Sequence, residues 1–411
     1  MTAPLDFLAR AAELDASDPL GAHRSAFIDP ADPAELVAYL DGNSLGRPLR
    51  RTQERLAEFV SGAWGSRLIR SWGESWMEMP TVLGDRLGAA ALGAAEGQSF
   101  IGDSTTVLLY KLARAAVDAR PGRREIVLDS GNFPTDRFVL EGIAAERGLE
   151  LRWIHPDPNA GVTAEDVAEV AGPNTALVLL SHVAYRSGHL ADMAAITAAA
   201  HEAGALILWD LCHSVGAVDL ELDALGVDLA VGCTYKYLNG GPGAPAVAYV
   251  AARLQDELRQ PIQGWMGASD PFAMAERYDA ANGIRRFISG TPPILGMLPL
   301  ADTVELIEEA GIAAIRAKSI ALTEFAIAYA DAELLPRGAV LSSPRNAAER
   351  GGHVTLDHPA FESLVPLLWS EGVIPDFRPP SGLRIGLSPL STSFAELERG
   401  LAAIAAGLDA H

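Results

Sequence analysis

The chain has 411 residues, 49% of them hydrophobic, and a formal net charge of −21. That length exceeds one ordinary domain and fits a large domain beside a smaller one. The acidity excludes nucleic acid and anionic membrane as partners, and two cysteines in so long a chain make no disulfide framework, so a reducing, cytoplasmic setting is expected. Met1–Leu20 carries Asp6, Arg10, Glu13, Asp15 and Asp18 and holds no apolar leader core. No apolar run reaches the roughly 18 residues a membrane span needs.

In chain order, the first motif is Gly42-Asn43-Ser44-Leu45-Gly46, which matches the G-x-S-x-G pattern of serine hydrolases. That motif needs a strand before it and a helix directly after it. Here Arg47-Pro48 follows and no strong strand precedes, so Ser44 is not read as a nucleophile. Next, Gly102-Asp103-Ser104-Thr105-Thr106 precedes a helical run, Val107–Val117. Hydroxyls and free N–H groups at a helix start can hold an anion, or simply cap the helix.

Short apolar runs at Glu125–Asp129, Leu149–Ile154, Ala176–Ser181, Ala205–Asp210, Leu229–Cys233 and Val247–Val250 read as strands. Amphipathic stretches such as Phe138–Arg147 and Asp192–Ala203 lie between them. This alternation predicts βαβ units: an α/β fold with a mostly parallel central sheet and helices on both faces. Ligands in such sheets bind beyond the carboxyl ends of the strands. Those ends carry Asp129-Ser130, Ser181-His182, Asp210 to His213 and Thr234-Tyr235-Lys236.

Lys236 follows an apolar strand and precedes the glycine-rich Asn239-Gly240-Gly241-Pro242-Gly243. Lysine is scarce, since Lys111, Lys236 and Lys318 are the only three. An enclosed, desolvated amine has a lowered pKa and attacks an aldehyde. Asp210 ends another buried run, where a carboxylate pairs with a pyridinium nitrogen or caps the next helix. His213, just beyond, flanks such a ring or serves the structure, and Phe133 offers a stacking face. A lysine with such an aspartate is the pattern of pyridoxal 5'-phosphate enzymes. No P-loop, H-E-x-x-H or C-x-x-C occurs, and His353 and His358 have no third partner, so no metal site is expected.

The last hundred residues change character. A long helical pattern spans Ala301–Asp331, followed by strand-like pieces at Ala339–Leu341, Gly352–Leu356 and Leu383–Leu387 and a helix at Pro359–Glu371. The chain is read as an N-terminal segment (1–50), a large α/β domain (51–295) and a small C-terminal α+β domain (296–411).

Taken together, these blocks resemble the kynureninases. The resemblance is carried by Tyr39 to Gly46, Leu68-Ile69-Arg70-Ser71-Trp72, Phe133 to Asp136, Trp209 to Ser214, Tyr235 to Gly243, Gln263 to Gly267, Arg286-Phe287, Gly290 to Leu295 and Gly372 to Arg378. It implies the fold-type-I architecture of the class-V aminotransferase superfamily, a homodimer, and hydrolysis of L-kynurenine to anthranilate and L-alanine. That step belongs to tryptophan catabolism along the kynurenine pathway, which also feeds NAD biosynthesis. Carried over, Lys236 would bond the cofactor covalently and move the Cα proton, and Asp210 would hold the pyridine nitrogen. Phe133 would stack on the ring; Thr105, Thr106 and Tyr235 would bind the phosphate, with Tyr235 also an acid or base. Asp136, Ser181 and His213 would complete the cofactor shell, with Trp265 and Thr291 reaching in from the other subunit. Arg384 would clamp the substrate carboxylate, with Trp72, Asn43, Ser44 and Gly290 beside the substrate. Trp72, Gly290 and Thr291 give the aryl pocket a bacterial look. Leu108, Met266 and Tyr185-Arg186-Ser187-Gly188 depart from the family's pattern. Another fold-type-I enzyme, such as a cysteine desulfurase, lyase or epimerase, would share the aspartate and lysine. A desulfurase needs a cysteine on a mobile loop, whereas Cys212 and Cys233 fall at strand ends.

Overall fold

The structure, a computed structural model, describes residues 6–32 and 35–410; Met1–Leu5, residues 33–34 and His411, which the segments above include, lie outside them. After a two-residue strand β1 (Ala38–Tyr39), seven strands build the main sheet: β2 (Ser99–Gly102), β3 (Glu125–Asp129), β4 (Glu150–Ile154), β5 (Thr175–Ser181), β6 (Leu206–Asp210), β7 (Leu229–Gly232) and β8 (Ala246–Val250). Their order is β2-β8-β7-β6-β5-β3-β4. Strands β3 to β7 are mutually parallel, and β8 runs against both β7 and β2. Every residue of β6 and β8 is buried, so both faces of the sheet are covered and their sequences are continuously apolar. Helix Thr105–Asp118 lies across β5 to β8, while Ala164–Val170 and Met193–Glu202 pack on each other and against β4 and β6.

The six strands expected from apolar runs are all present; β2 was not expected. Its four residues are Ser-Phe-Ile-Gly, too few apolar positions to stand out. It matters for the site. Running parallel to β3–β7, it delivers Asp103 to Thr106 to the same sheet edge as the other strand ends. The single helix expected over Ala301–Asp331 is two, Ile294–Ala310 and Ile312–Tyr329. They break at Gly311, whose φ of 77° lies in the left-handed region that glycine tolerates. Among the described residues no helix is long and apolar enough to cross a membrane.

A second sheet has the order β12-β13-β10-β9, formed by β9 (Val340–Leu341), β10 (His353–Asp357), β12 (Asp376–Arg378) and β13 (Gly382–Gly386). The remaining strand, β11 (Val373–Ile374), pairs parallel with β1. Val354, Leu356, Leu383 and Ile385 enter a second apolar core, closed by Phe7, Leu40, Leu322 and Leu401. Side chains alternate along a strand, so His353, Thr355 and Arg384 share the other face. That face meets the main sheet's loops: Arg384 donates to the Tyr185 carbonyl and Thr355 to the Arg186 carbonyl.

Helix Arg50–Phe59 is fastened to Ile294–Ala310 through Asp302, which is fully buried. Its carboxylate accepts from Arg51 Nε (3.0 Å), Arg55 Nε (2.6 Å) and Thr52 Oγ1 (2.6 Å). Removing one partner of a buried ion pair strands the others. Asp302→Ala is therefore expected to cost about 2–4 kcal/mol in urea unfolding, a little below the range for fully buried pairs because both arginines are partly exposed. A loss under about 0.5 kcal/mol, the size of an ordinary surface change, would contradict the role.

Candidate active site

Lys236 stands at the end of β7, in a cleft lined by Thr105, Thr106, Phe133, Asp136, Ser181, Tyr185, Asp210, His213 and Tyr235, with Thr135 and Cys212. Lys111 pairs with Asp103 and Lys318 with Asp18, but among the described residues Lys236 pairs with no carboxylate. Its Nζ lies 3.3 Å from His213 Nε2 and 6.0 Å from the centroid of the Phe133 ring. Burial works to lower the Lys236 pKa, as expected from the sequence. Cys233, Cys212 and Asp210 outweigh it, so the amine holds its proton above the usual lysine range. His213 is driven well below the ordinary imidazole range by burial and then by Lys236 and Arg384, so it is neutral and accepts from the ammonium. Burial raises the Tyr235 phenol, which keeps its proton.

Two carboxyl groups face each other on the opposite wall. Burial first, and then Asp210, push Asp136 well above the carboxylate range, with Lys236 opposing. One Asp136 oxygen has no hydrogen-bond partner. Asp210 is fixed from behind by the Cys212 N–H (2.7 Å). A buried acidic pair with an unpartnered oxygen suits a cationic aromatic nitrogen, which pyridoxal phosphate presents. Phe133, 38% exposed and set edge-on to Tyr185 (centroids 5.6 Å apart), is open to stacking. Ser181 does not point into the cleft alone: its hydroxyl donates to Asn132 Oδ1 (2.7 Å).

The opposite end suits a phosphate. Ser104 caps helix Thr105–Asp118 through the Val107 N–H (3.4 Å), leaving the Thr105 and Thr106 hydroxyls in the cleft at the positive end of the helix dipole. Asp103 and Asn239 flank this region with positive φ values of 45° and 49°. Backbone strain of this kind is held only where the surroundings enforce it. The Gly42–Gly46 segment is part of that enforcement. Gly46 N–H donates to the Tyr235 carbonyl (2.8 Å), and a Cβ on Gly46 would overlap Asn239 and the Lys236 carbonyl.

On the substrate side, Arg384 is 1% exposed and already engaged. Nε donates to Asp376 (2.7 Å), one terminal nitrogen to the Tyr185 carbonyl (2.7 Å) and the other to Ser44 Oγ (3.1 Å) and Asp376. Arg378 Nε lies 3.0 Å from the same Asp376 oxygen. Asn43 is wholly buried with neither amide atom hydrogen-bonded. Four expected residues lie elsewhere. Trp72 lines an apolar cleft with Pro292 to Leu295, next to Gly290 and Thr291, and Trp265 is 40% exposed. Within one chain none of these four lines the cleft around Lys236.

The model of the class-V aminotransferase family matches residues 102–364. A kynureninase of Pseudomonas fluorescens is 41% identical over 93% of this chain and 91% of its own length, and one of Deinococcus radiodurans is 41% identical over 98% and 96%. The chain belongs to the kynureninase family. Its fold is that of solved fold-type-I enzymes: a cysteine desulfurase of Thermococcus onnurineus superposes with a TM-score of 0.79 at 18% identity over 91% of this chain and 95% of its own. Another from Escherichia coli gives 0.79 at 17% identity over 95% and 98%.

Sequence reasoning for this kynureninase-family chain did not single out Asn132, Tyr185, Asp376 or Arg378. Tyr185, Asp376 and Arg378 stood inside quoted blocks and Asn132 next to one, but none was given a role; only the folded contacts distinguish them. Asp41, inside the quoted Tyr39 to Gly46 block, was likewise given no role. Burial raises its carboxyl from 3.8 to about 6, against the hydrogen bond from Ser44. Because the folded state binds this proton more tightly than the unfolded chain, the associated stability is complete below the unfolded pKa and is lost as pH rises through the folded one. Asp41→Asn is therefore expected to stabilise the cofactor-free protein at pH 8 by roughly 2–3 kcal/mol in urea unfolding, with more than half of that gone at pH 4.5. An equal effect at both pH values would contradict the burial of this charge.

Proposed function

We propose that the chain hydrolyses the Cβ–Cγ bond of L-kynurenine, releasing anthranilate and L-alanine, with pyridoxal 5'-phosphate held on Lys236. The observation that carries this reading is the 41% identity to kynureninases over nearly the whole chain. The strand-end cleft supplies residues suited to each task. Water provides the hydroxyl that completes the carboxyl group of anthranilate, and a proton ends on Cβ to complete alanine. Bound pyridoxal phosphate supplies the electron sink for bonds broken at the amino acid.

The chain's own groups do the rest. Thr105, Thr106, Tyr235 and the helix start hold the phosphate, and Phe133 stacks against the ring. Asp210 keeps the ring nitrogen protonated, while Asp136 beside it stays neutral and adds no second charge. Lys236 Nζ moves the proton at Cα, and His213 accepts a hydrogen bond from that amine. The raised Tyr235 phenol holds the proton destined for the developing oxygen or carbon. Asp376 and the Tyr185 carbonyl engage all three nitrogens of the Arg384 guanidinium, so a substrate carboxylate reaches the fork by displacing the Ser44 hydroxyl. Cys212 and Cys233 are both buried, which disfavours the desulfurase alternative.

The assembly is a cytoplasmic homodimer in this reading. Trp64, Leu68, Ile69 and Leu295 are 50%, 56%, 77% and 44% exposed on the face that carries Trp72. An apolar patch of that kind calls for a partner surface. A second copy there would bring its Trp265 and Thr291 to the neighbour's phosphate, with Trp72 and Gly290 at the aryl end.

Purified protein supplied with pyridoxal phosphate and L-kynurenine should release anthranilate, read by fluorescence, with alanine in equal amount, and Lys236→Ala should abolish it. Absence of product from the unsubstituted chain would refute the substrate. For the shared site, mixing Lys236→Ala with Trp265→Ala chains should restore activity through hybrid dimers. Failure despite confirmed subunit exchange would show that each chain holds a complete site.

A further inference from the structure

Behind His213 lies a set of buried polar groups that the chemistry above does not use. His353, on β10, has no exposure, and neither ring nitrogen has a hydrogen-bond partner. The carbonyls of Tyr185 and Arg186 lie beside the ring but outside bonding geometry. Its ring packs against His213 with centroids 5.6 Å apart and planes at 56°. Burial, Arg384 and Lys236 together hold His353 neutral.

Asn43 is the second member. His353 and Gly386 are partners in the β10–β13 register, and a Cβ on Gly386 would overlap Asn43 Oδ1. The amide therefore fills the place of a cross-strand neighbour of His353. Both groups are fully buried and both have donors and acceptors unused, a state that native proteins relieve with ordered water.

The direction of the hydrogen bonds then follows from Lys236. Its ammonium donates to His213 Nε2, so the single proton of the neutral His213 ring sits on Nδ1. We propose that His353 is a positioning residue: through an ordered water shared with Asn43 it accepts the hydrogen bond donated by His213 Nδ1–H and so, together with Lys236 at the other ring nitrogen, holds the tautomer whose Nε2 accepts from Lys236. The ring that faces the lysine is then held in one protonation pattern while the amine gives up and regains its proton. His353 touches neither substrate nor cofactor in this role.

The proposal rests on the kynurenine reading only for its kinetic arm. In the cofactor-free protein, ¹⁵N–¹H imidazole spectra report the His213 tautomer directly. His353→Phe keeps the volume and removes both nitrogens; His353→Gln restores a donor and an acceptor. The Phe variant should convert His213 to a mixture of tautomers and lower kcat about 10- to 100-fold, the usual loss for an outer partner of a functional imidazole, with KM changed less than about twofold. The Gln variant should recover most of both. If the Phe variant does not fold, Asn43→Ala should produce the same spectral change. An unchanged His213 spectrum, or a Gln variant no better than Phe, would overturn the proposal. A shifted tautomer in a protein inactive on kynurenine would instead refute the substrate alone.

Discussion

Two carboxyl groups cannot be buried side by side without a proton or a cation between them. Asp136 and Asp210 are 2% and 6% exposed, and the nearby Lys236 is the cation that opposes the rise of Asp136. The rest of the structure follows from this imbalance. Parallel strands are needed to bring Asp210 and Lys236 to one edge from opposite ends of a 26-residue interval in sequence. A helix start must stand across the cleft to take the negative end of the ligand. The loops between must be closed tightly enough to keep water from screening the charges, which is why the Gly42–Gly46 segment presses on the lysine turn.

Much of this was legible in the residues. Strands buried on both faces write themselves as unbroken apolar runs, so β3 to β8 and the polar residues ending them could be read directly. Lys236 stood out because lysine is so rare here. What was not legible depended on geometry with no local signal. β2 is four residues with two polar or small ends. The break at Gly311 needs a backbone angle, not a composition. The upward pull on the Lys236 pKa comes from Cys212, Cys233 and Asp210, which only folding sets around the amine. Arg384 was expected to clamp a substrate carboxylate, and no sequence pattern indicates that Asp376, eight positions away, already lies against it.

The likeness to cysteine desulfurases shows how little of the reaction lies in the scaffold. Superposition is close at identities below 20%, so the backbone tolerates replacement of most side chains. In this chain the small sheet and the N-terminal segment also contribute to the cleft. There Arg384, Asp376, Asn43 and His353 meet the cleft from outside the main sheet.

That division has a consequence for how the protein is made. The second core gathers Phe7 and Leu40 with Leu397 and Leu401, and helix Phe7–Ala16 packs on Phe394–Ala410. On a translating ribosome the main sheet has all seven strands once Val250 has emerged, whereas the second core waits for the final helix. Until then the early segment that clamps the lysine turn has apolar side chains with nothing to cover them. The nascent chain thus has the strands of the main sheet before it has the second core that seats the N-terminal segment against the lysine turn.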